Sequence, residues 1–208
     1  MTRLVVLLGS LVVLALGRDL AAQQQRQARD GFWFAAALGR GWTRVSCDIC
    51  KGTYRGGLSG ALRLGGGVSR SVLIGAEVAA WWATIDSGTA TVHQSLAAFG
   101  AAAYWYPSRR RPLYLKLGLG FLTHRADDGT DVITSTAIGP QFGVGYEWPV
   151  SPHLLVSPFL NVGFGIVAGS LKFNGGQVQN SSPGVSLAQL GLAVTWHQVP
   201  LRRTGRQP

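Results

Sequence analysis

Leu113-Tyr114-Leu115-Lys116-Leu117-Gly118-Leu119-Gly120-Phe121 is the stretch whose reading decides the fold. Every odd position is a bulky apolar residue. The even positions hold Tyr, Lys and Gly, and the parity carries on to His124. A period of two is the signature of a strand with chemically different faces, because successive Cβ atoms point to opposite sides of a sheet. The unusual feature is the second face: it is small rather than charged. A face meeting water should be about 25–35% Lys, Arg, Glu and Asp. The chain as a whole has only 13% charged residues, with 47% hydrophobic residues and 29 Gly among 208. High hydrophobicity with little charge excludes a disordered chain. So many Gly exclude a mainly helical one, since each costs a helix interior about 1 kcal/mol relative to Ala.

The same alternation recurs outward from this stretch in eight segments, about 31–45, 57–68, 72–86, 92–106, 113–125, 132–148, 154–168 and 185–196. Ile138, Pro140, Phe142, Val144, Tyr146 and Trp148 oppose Gly139, Gln141, Gly143, Gly145 and Glu147. Leu190, Leu192, Val194 and Trp196 oppose Gln189, Gly191, Ala193 and Thr195. In the first segment either parity of Phe32-Trp33-Phe34 fits. The pattern is rational inside out, with bulky residues facing lipid and small ones filling a narrow lumen. Lipid then demands a closed barrel, because a free strand edge would leave unpaired N–H groups in hydrocarbon. The fold class expected is an all-β, eight-stranded antiparallel up-and-down transmembrane β-barrel over 31–196. Short turns near 69–70, 108–112 and 149–153 alternate with longer loops near 46–56, 87–91, 126–131 and 169–184. Trp105, Tyr106, Trp148 and Trp196 mark the short-turn rim, and Trp42 and Trp82 the long-loop rim, as interfacial girdles require. Pro140 and Pro158, lacking N–H donors, imply bulges.

Residues 1–22 read as a signal peptide: Arg3 precedes an apolar run of 13 residues, Leu4 to Leu16, too short to span a bilayer as a helix. Residues 23–30 form a short N-terminal tail, and 197–208 a disordered basic C-terminal one. An exported chain suits a disulfide between Cys47 and Cys50. No metal site is expected, since no His lies near that pair, and no cofactor is implied.

Signal peptide, strand count, alternation and the ending Leu190-x-Leu192-x-Val194-x-Trp196 together resemble the small eight-stranded bacterial outer-membrane barrels of the OmpA/OmpX type. The resemblance implies a Gram-negative outer-membrane location, outer-membrane lipids as neighbours and recognition of the last strand by the barrel insertion machinery. Eight strands leave room inside for side chains but not for a wide pore. Arg63, Glu77, Lys116 and Glu147 project inward, sum to zero and are expected to form a lumen salt-bridge network. The reading is non-enzymatic: a structural protein, or one meeting an unidentified partner through its loops. Asp86, His93 and Ser95 are the alternative. Outward at a rim, they look somewhat like the outer-membrane lipid A deacylases, whose His-x-Ser works with a carboxylate on a neighbouring strand. That family follows its Ser with Asn, where this chain has Leu96. A second alternative is a soluble exported β-barrel binding an apolar ligand inside.

The net charge of +10 first suggests nucleic acid. Placed on the barrel, it suggests no nucleic acid at all. Arg26, Arg29, Arg70, Arg109, Arg110, Arg111, Arg202, Arg203 and Arg206 against Asp30 leave a one-sided +8 at the short-turn rim, facing anionic lipid head groups.

Overall fold

The computed structural model describes residues 31–46, 52–86, 91–108, 112–178 and 183–198. The segments expected to be a signal peptide and two tails (apart from His197 and Gln198), the Arg109 to Arg111 turn and the expected Cys47–Cys50 disulfide all lie outside the described residues. Six strands of 15 residues come first: β1 Phe32–Ser46, β2 Arg55–Ser69, β3 Val72–Asp86, β4 Thr91–Trp105, β5 Leu113–Asp127 and β6 Val132–Tyr146. β7 runs Leu154–Gly165 and resumes after Ile166 as Val167–Phe173, and β8 is Gly184–His197. Each strand pairs antiparallel with the next, and β1 pairs with β8, so the sheet closes on itself. The last strand runs one residue beyond the expected end, taking in His197.

The stagger fixes the shape. Registered partners lead around the barrel from Gly145 through Phe159, Gly191, Gly39, Ser59, Trp81, Leu96 and His124 to Ser135. The circuit returns to β6 ten residues from its start. With strands about 4.8 Å apart and a rise of about 3.3 Å per residue, that stagger tilts them by roughly 40°. A residue then climbs about 2.5 Å along the barrel axis, so an apolar band about 25 Å tall takes about ten residues of each strand. The rest of each 15-residue strand stands at the interface or above it.

The strand-1 ambiguity resolves with Trp33 inside, 3% exposed, and Phe32 and Phe34 outside. On β5, Leu115, Leu117, Leu119 and Phe121 all face outward, with Leu119 66% exposed. Comparable residues on all eight strands make an apolar wall, interrupted on β1 by the exposed Arg40 and far larger than the few hundred Å² that soluble monomers present to water. Trp42, Trp82, Trp105, Trp148 and Trp196 stand on the outer face as expected. Tyr106 does not: it is 2% exposed and turned into the lumen, where its hydroxyl donates to Glu147.

Two further expectations are corrected. Residues 169–173 are not loop but strand, with Ser170 to Phe173 paired to β6, and Gly176–Gln177 folds back on them. The turn between is Asn174-Gly175, with φ of 47° and 84°, the left-handed pair that two-residue hairpins use. Asn174 also ties the hairpin to β6, accepting from the Val132 N–H at 2.7 Å. The bulge of β6 lies between Thr136 and Ile138, opposite the break at Ile166, not at Pro140. At Pro158 the β7–β8 register is unbroken.

Candidate functional site

The lumen is filled in layers. At the short-turn end Trp33, Tyr104, Tyr114 and Tyr106 pack ring on ring, with centroids 5.2, 5.6 and 5.9 Å apart in that order. Above them sits the charge network. Arg63 and Glu77 are cross-strand partners on β2 and β3, and Arg63 Nε lies 3.0 Å from Glu77 Oε2. Lys116 Nζ reaches Glu77 Oε1 at 2.7 Å from β5, two strands along, and the Tyr104 hydroxyl, on β4 between them, donates to the same carboxylate at 2.9 Å. Arg63 lies over the Phe159 ring, 4.6 Å from its centroid. With the Asn161 amide oriented to suit its neighbours, its oxygen accepts from Arg63 at 2.8 Å. Lys116 also donates to Gln141 at 3.3 Å. Glu77 is thus the hub holding two cations. Glu147 stands nearer the short-turn end, where it accepts the Tyr106 hydroxyl at 2.7 Å and lines a cavity of only about 10 Å³ together with Arg63.

An apolar layer lies above the network. Trp81, Leu96, Leu122, Val185 and Leu187 are all buried and in one cluster. The Trp81 indole N–H donates to the Gly41 carbonyl at 3.0 Å. A Cβ on Gly41 would come within 2.6 Å of the Trp81 ring, so the glycine is there because the indole occupies its side-chain space. Beyond this layer a mouth cavity of about 220 Å³ opens at the long-loop end, bounded by Thr43, Thr53, Arg55, Gln94 and His124. Mouth and charge network are therefore separated by packed hydrocarbon.

The second cluster is on the outside. Asp86 pairs with Thr91, not His93, and its carboxylate accepts the Thr91 hydroxyl at 3.0 Å. His93 is flanked instead by Thr84 on β3 and Asp127 on β5. Its Nδ1 lies 3.4 Å from Thr84 Oγ1. Ser95 stands one outward position down β4, between Trp82 and Arg125. The arrangement of Asp86, His93 and Ser95 around one hairpin thus fails at its acid, and the carboxylate opposite His93 belongs to Asp127. Sequence reading passed over Asp127 because it lies 34 positions from His93, and only the β4–β5 register brings them together. Just beyond the strand, Asp128 accepts the N–H groups of Asp131 and Thr130 at 2.7 and 2.9 Å. These bonds, that from Asp131 foremost, hold its carboxyl below the ordinary value of 3.8.

A closed eight-stranded barrel with an apolar outer wall and a polar, filled interior defines the class: this chain is a transmembrane β-barrel of the bacterial outer-membrane type. Solved structures similar to it are of that kind. Neisserial surface protein A superposes with a TM-score of 0.56 at 18% identity, over 80% of this chain and 97% of that one. The outer membrane protein OprG of Pseudomonas aeruginosa gives 0.49 at 11% identity, over 83% and 99%. Ail, the attachment invasion locus protein of Yersinia pestis, gives 0.46 at 12% identity, over 80% and 99%. No protein-family model and no curated protein sequence matches the chain.

Proposed function

We propose that this protein is a non-enzymatic outer-membrane barrel with a sealed lumen, acting as a structural element or through its long-loop end. The observation that carries the reading is the layer of Trp81, Leu96, Leu122, Val185 and Leu187 between the mouth and the buried ion pairs. An ion crossing that layer would leave its water behind without gaining a polar ligand. Membrane lipids are its permanent partners, and the apolar last strand suits it to the insertion machinery. The test is conductance of the purified full chain in a planar bilayer. A baseline without unitary steps is expected, and stable open channels would refute the sealed lumen.

A second reading, a lipid-modifying enzyme, draws support from His93 standing outward between Thr84 and Asp127 with Ser95 on the same face. His93 would serve as base and Asp127, rather than Asp86, as its orienting acid. Lipid A masses from cells expressing the wild-type and Ser95→Ala proteins decide between the two. Identical, unmodified spectra remove the enzyme; loss of an acyl chain with the wild type alone establishes it.

A further inference from the structure

Outward-facing residues of β3, β4 and β5 form two registered rows at the long-loop rim. The upper row is Thr84, His93 and Asp127; the lower is Trp82, Ser95 and Arg125. They line a cleft of about 460 Å³ on the outside of the barrel wall. Counting ten residues up from the short-turn end, the lipid band of β4 ends near Leu96 and that of β5 near Leu122. The cleft therefore sits at the level of lipid head groups. Directly below it the wall is low, at the Ala80 and Ala97 pair, with Phe99 and Phe121 paired further down.

The chemistry of the cleft is specific. Trp82 is 49% exposed and offers an aromatic face. Arg125 and Asp127 are locked together, guanidinium nitrogen to carboxylate oxygen at 2.8 Å, with both side chains still accessible at 55% and 33%. Arg is a donor only and the carboxylate an acceptor only, while Thr84, Ser95 and His93 can be either. The six residues sum to no net charge with His93 neutral. A phosphate head would meet repulsion from Asp127, and a metal cation repulsion from Arg125. A neutral polyhydroxyl ligand suits every group: each sugar hydroxyl both donates and accepts, and a pyranose ring has an apolar C–H face to lay on an indole.

We propose that this cleft binds the saccharide head of a glycolipid in the surrounding leaflet, with its acyl chains lying on the Ala80–Ala97 depression and the Phe99–Phe121 pair beneath. The lipid source follows from the parity of the lining: Trp82, Thr84, His93, Ser95, Arg125 and Asp127 stand on the same outward face as Phe99 and Phe121 below them.

Native mass spectrometry of the full chain, released from nanodiscs of phosphatidylcholine doped with a glucosyl diacylglycerol, tests this. Phosphatidic acid at equal load and free methyl glucoside are the comparison arms. One glycolipid should be retained per barrel, at least tenfold above phosphatidylcholine and phosphatidic acid. Methyl glucoside should bind at least tenfold more weakly than the glycolipid. Retention should fall about tenfold in Trp82→Ala, and in the charge-neutral pair Arg125→Gln with Asp127→Asn. The heat-sensitive gel mobility of each variant reports folding, and Leu192→Ala, on the outer face of β8 away from the cleft, should retain the lipid. Equal retention of all lipids, unchanged retention in both variants, preference for phosphatidic acid, or equal binding of the free glucoside would each overturn the proposal.

Discussion

Replacing Glu77 by Gln should be among the most damaging single changes this barrel can suffer. The carboxylate touches Arg63 at 3.0 Å, Lys116 at 2.7 Å and the Tyr104 hydroxyl at 2.9 Å, and all three side chains of the ionic trio are 3% exposed or less. An amide of the same shape keeps the packing but removes the one carboxylate that both cations touch, leaving Glu147, which lines a small cavity with Arg63, as the remaining acid of the lumen. Breaking a buried pair by removing one partner costs about 3–5 kcal/mol. Asn161, Phe159 and Gln141 soften the loss for the stranded cations without neutralising them. Against a total stability of about 5–15 kcal/mol, such a loss is a large fraction. The cation side is asymmetric. Lys116→Met leaves Glu77 still paired with Arg63 and bonded to Tyr104, so about 1–2 kcal/mol is expected, within the range of ordinary substitutions. The double variant strands one cation instead of two and should be more stable than Glu77→Gln alone, with a coupling of about 1–3 kcal/mol. Urea unfolding in phosphatidylcholine vesicles, followed by tryptophan fluorescence, measures all three. A cost below about 1 kcal/mol for Glu77→Gln, or a double variant whose loss equals the sum of the singles, would refute the hub.

Gly41→Val should drive a side chain into the Trp81 indole, costing about 1–3 kcal/mol as overpacking does and red-shifting the tryptophan emission; an unchanged spectrum and stability would mean Trp81 has room to move. Asp128→Asn should weaken the turn at 128–131, read as faster amide exchange at Thr130 and Asp131. Because the folded carboxyl lies below 3.8, the wild-type turn should hold at neutral pH and loosen only as pH falls through that depressed value, while the variant should show no such step. Arg109, Arg110 and Arg111 changed together to Gln should reduce the dependence of membrane insertion on anionic lipid, measured as folding yield into vesicles with and without phosphatidylglycerol; equal dependence would count against the basic collar.

Much of this architecture is legible in the sequence because alternation is a local property. Where a strand alternates bulky with small, as in Leu113 to Phe121, parity alone assigns each side chain to lipid or lumen, and Lys116, Glu77 and Arg63 fall inside without any knowledge of their partners. Strand 1 resisted because Phe32, Trp33 and Phe34 are all bulky, so parity carries no information until Leu73 and Tyr104 are known to pack with Trp33. Tyr106 was misplaced for a related reason. An aromatic at a strand end suits a girdle or a lumen cap equally, and Glu147 decides it from 41 positions away. The hairpin extension at 167–177 is a different case: Asn174-Gly175 is a turn signal in the sequence, but the strands it joins are short and lie among Gly and Ser, so alternation does not mark them.

The outer cluster shows why site chemistry is harder to read than lumen chemistry. Inside, a buried charge must find a counter-charge, so composition alone forces a network. At a rim no such compulsion acts, and His93, Ser95 and Asp127 each look like ordinary strand-end residues. Their relation exists only through register: moving β5 by one residue against β4 would turn Asp127 and Arg125 to the lumen side and leave His93 facing Ala126 or Asp128. That register is itself fixed by the lumen, since Lys116 must reach Glu77 and Leu122 must fill the layer with Trp81. The packed interior is therefore what aligns the outward rows, and a lumen variant that shifted β5 should lose glycolipid retention even though no residue of the cleft had changed.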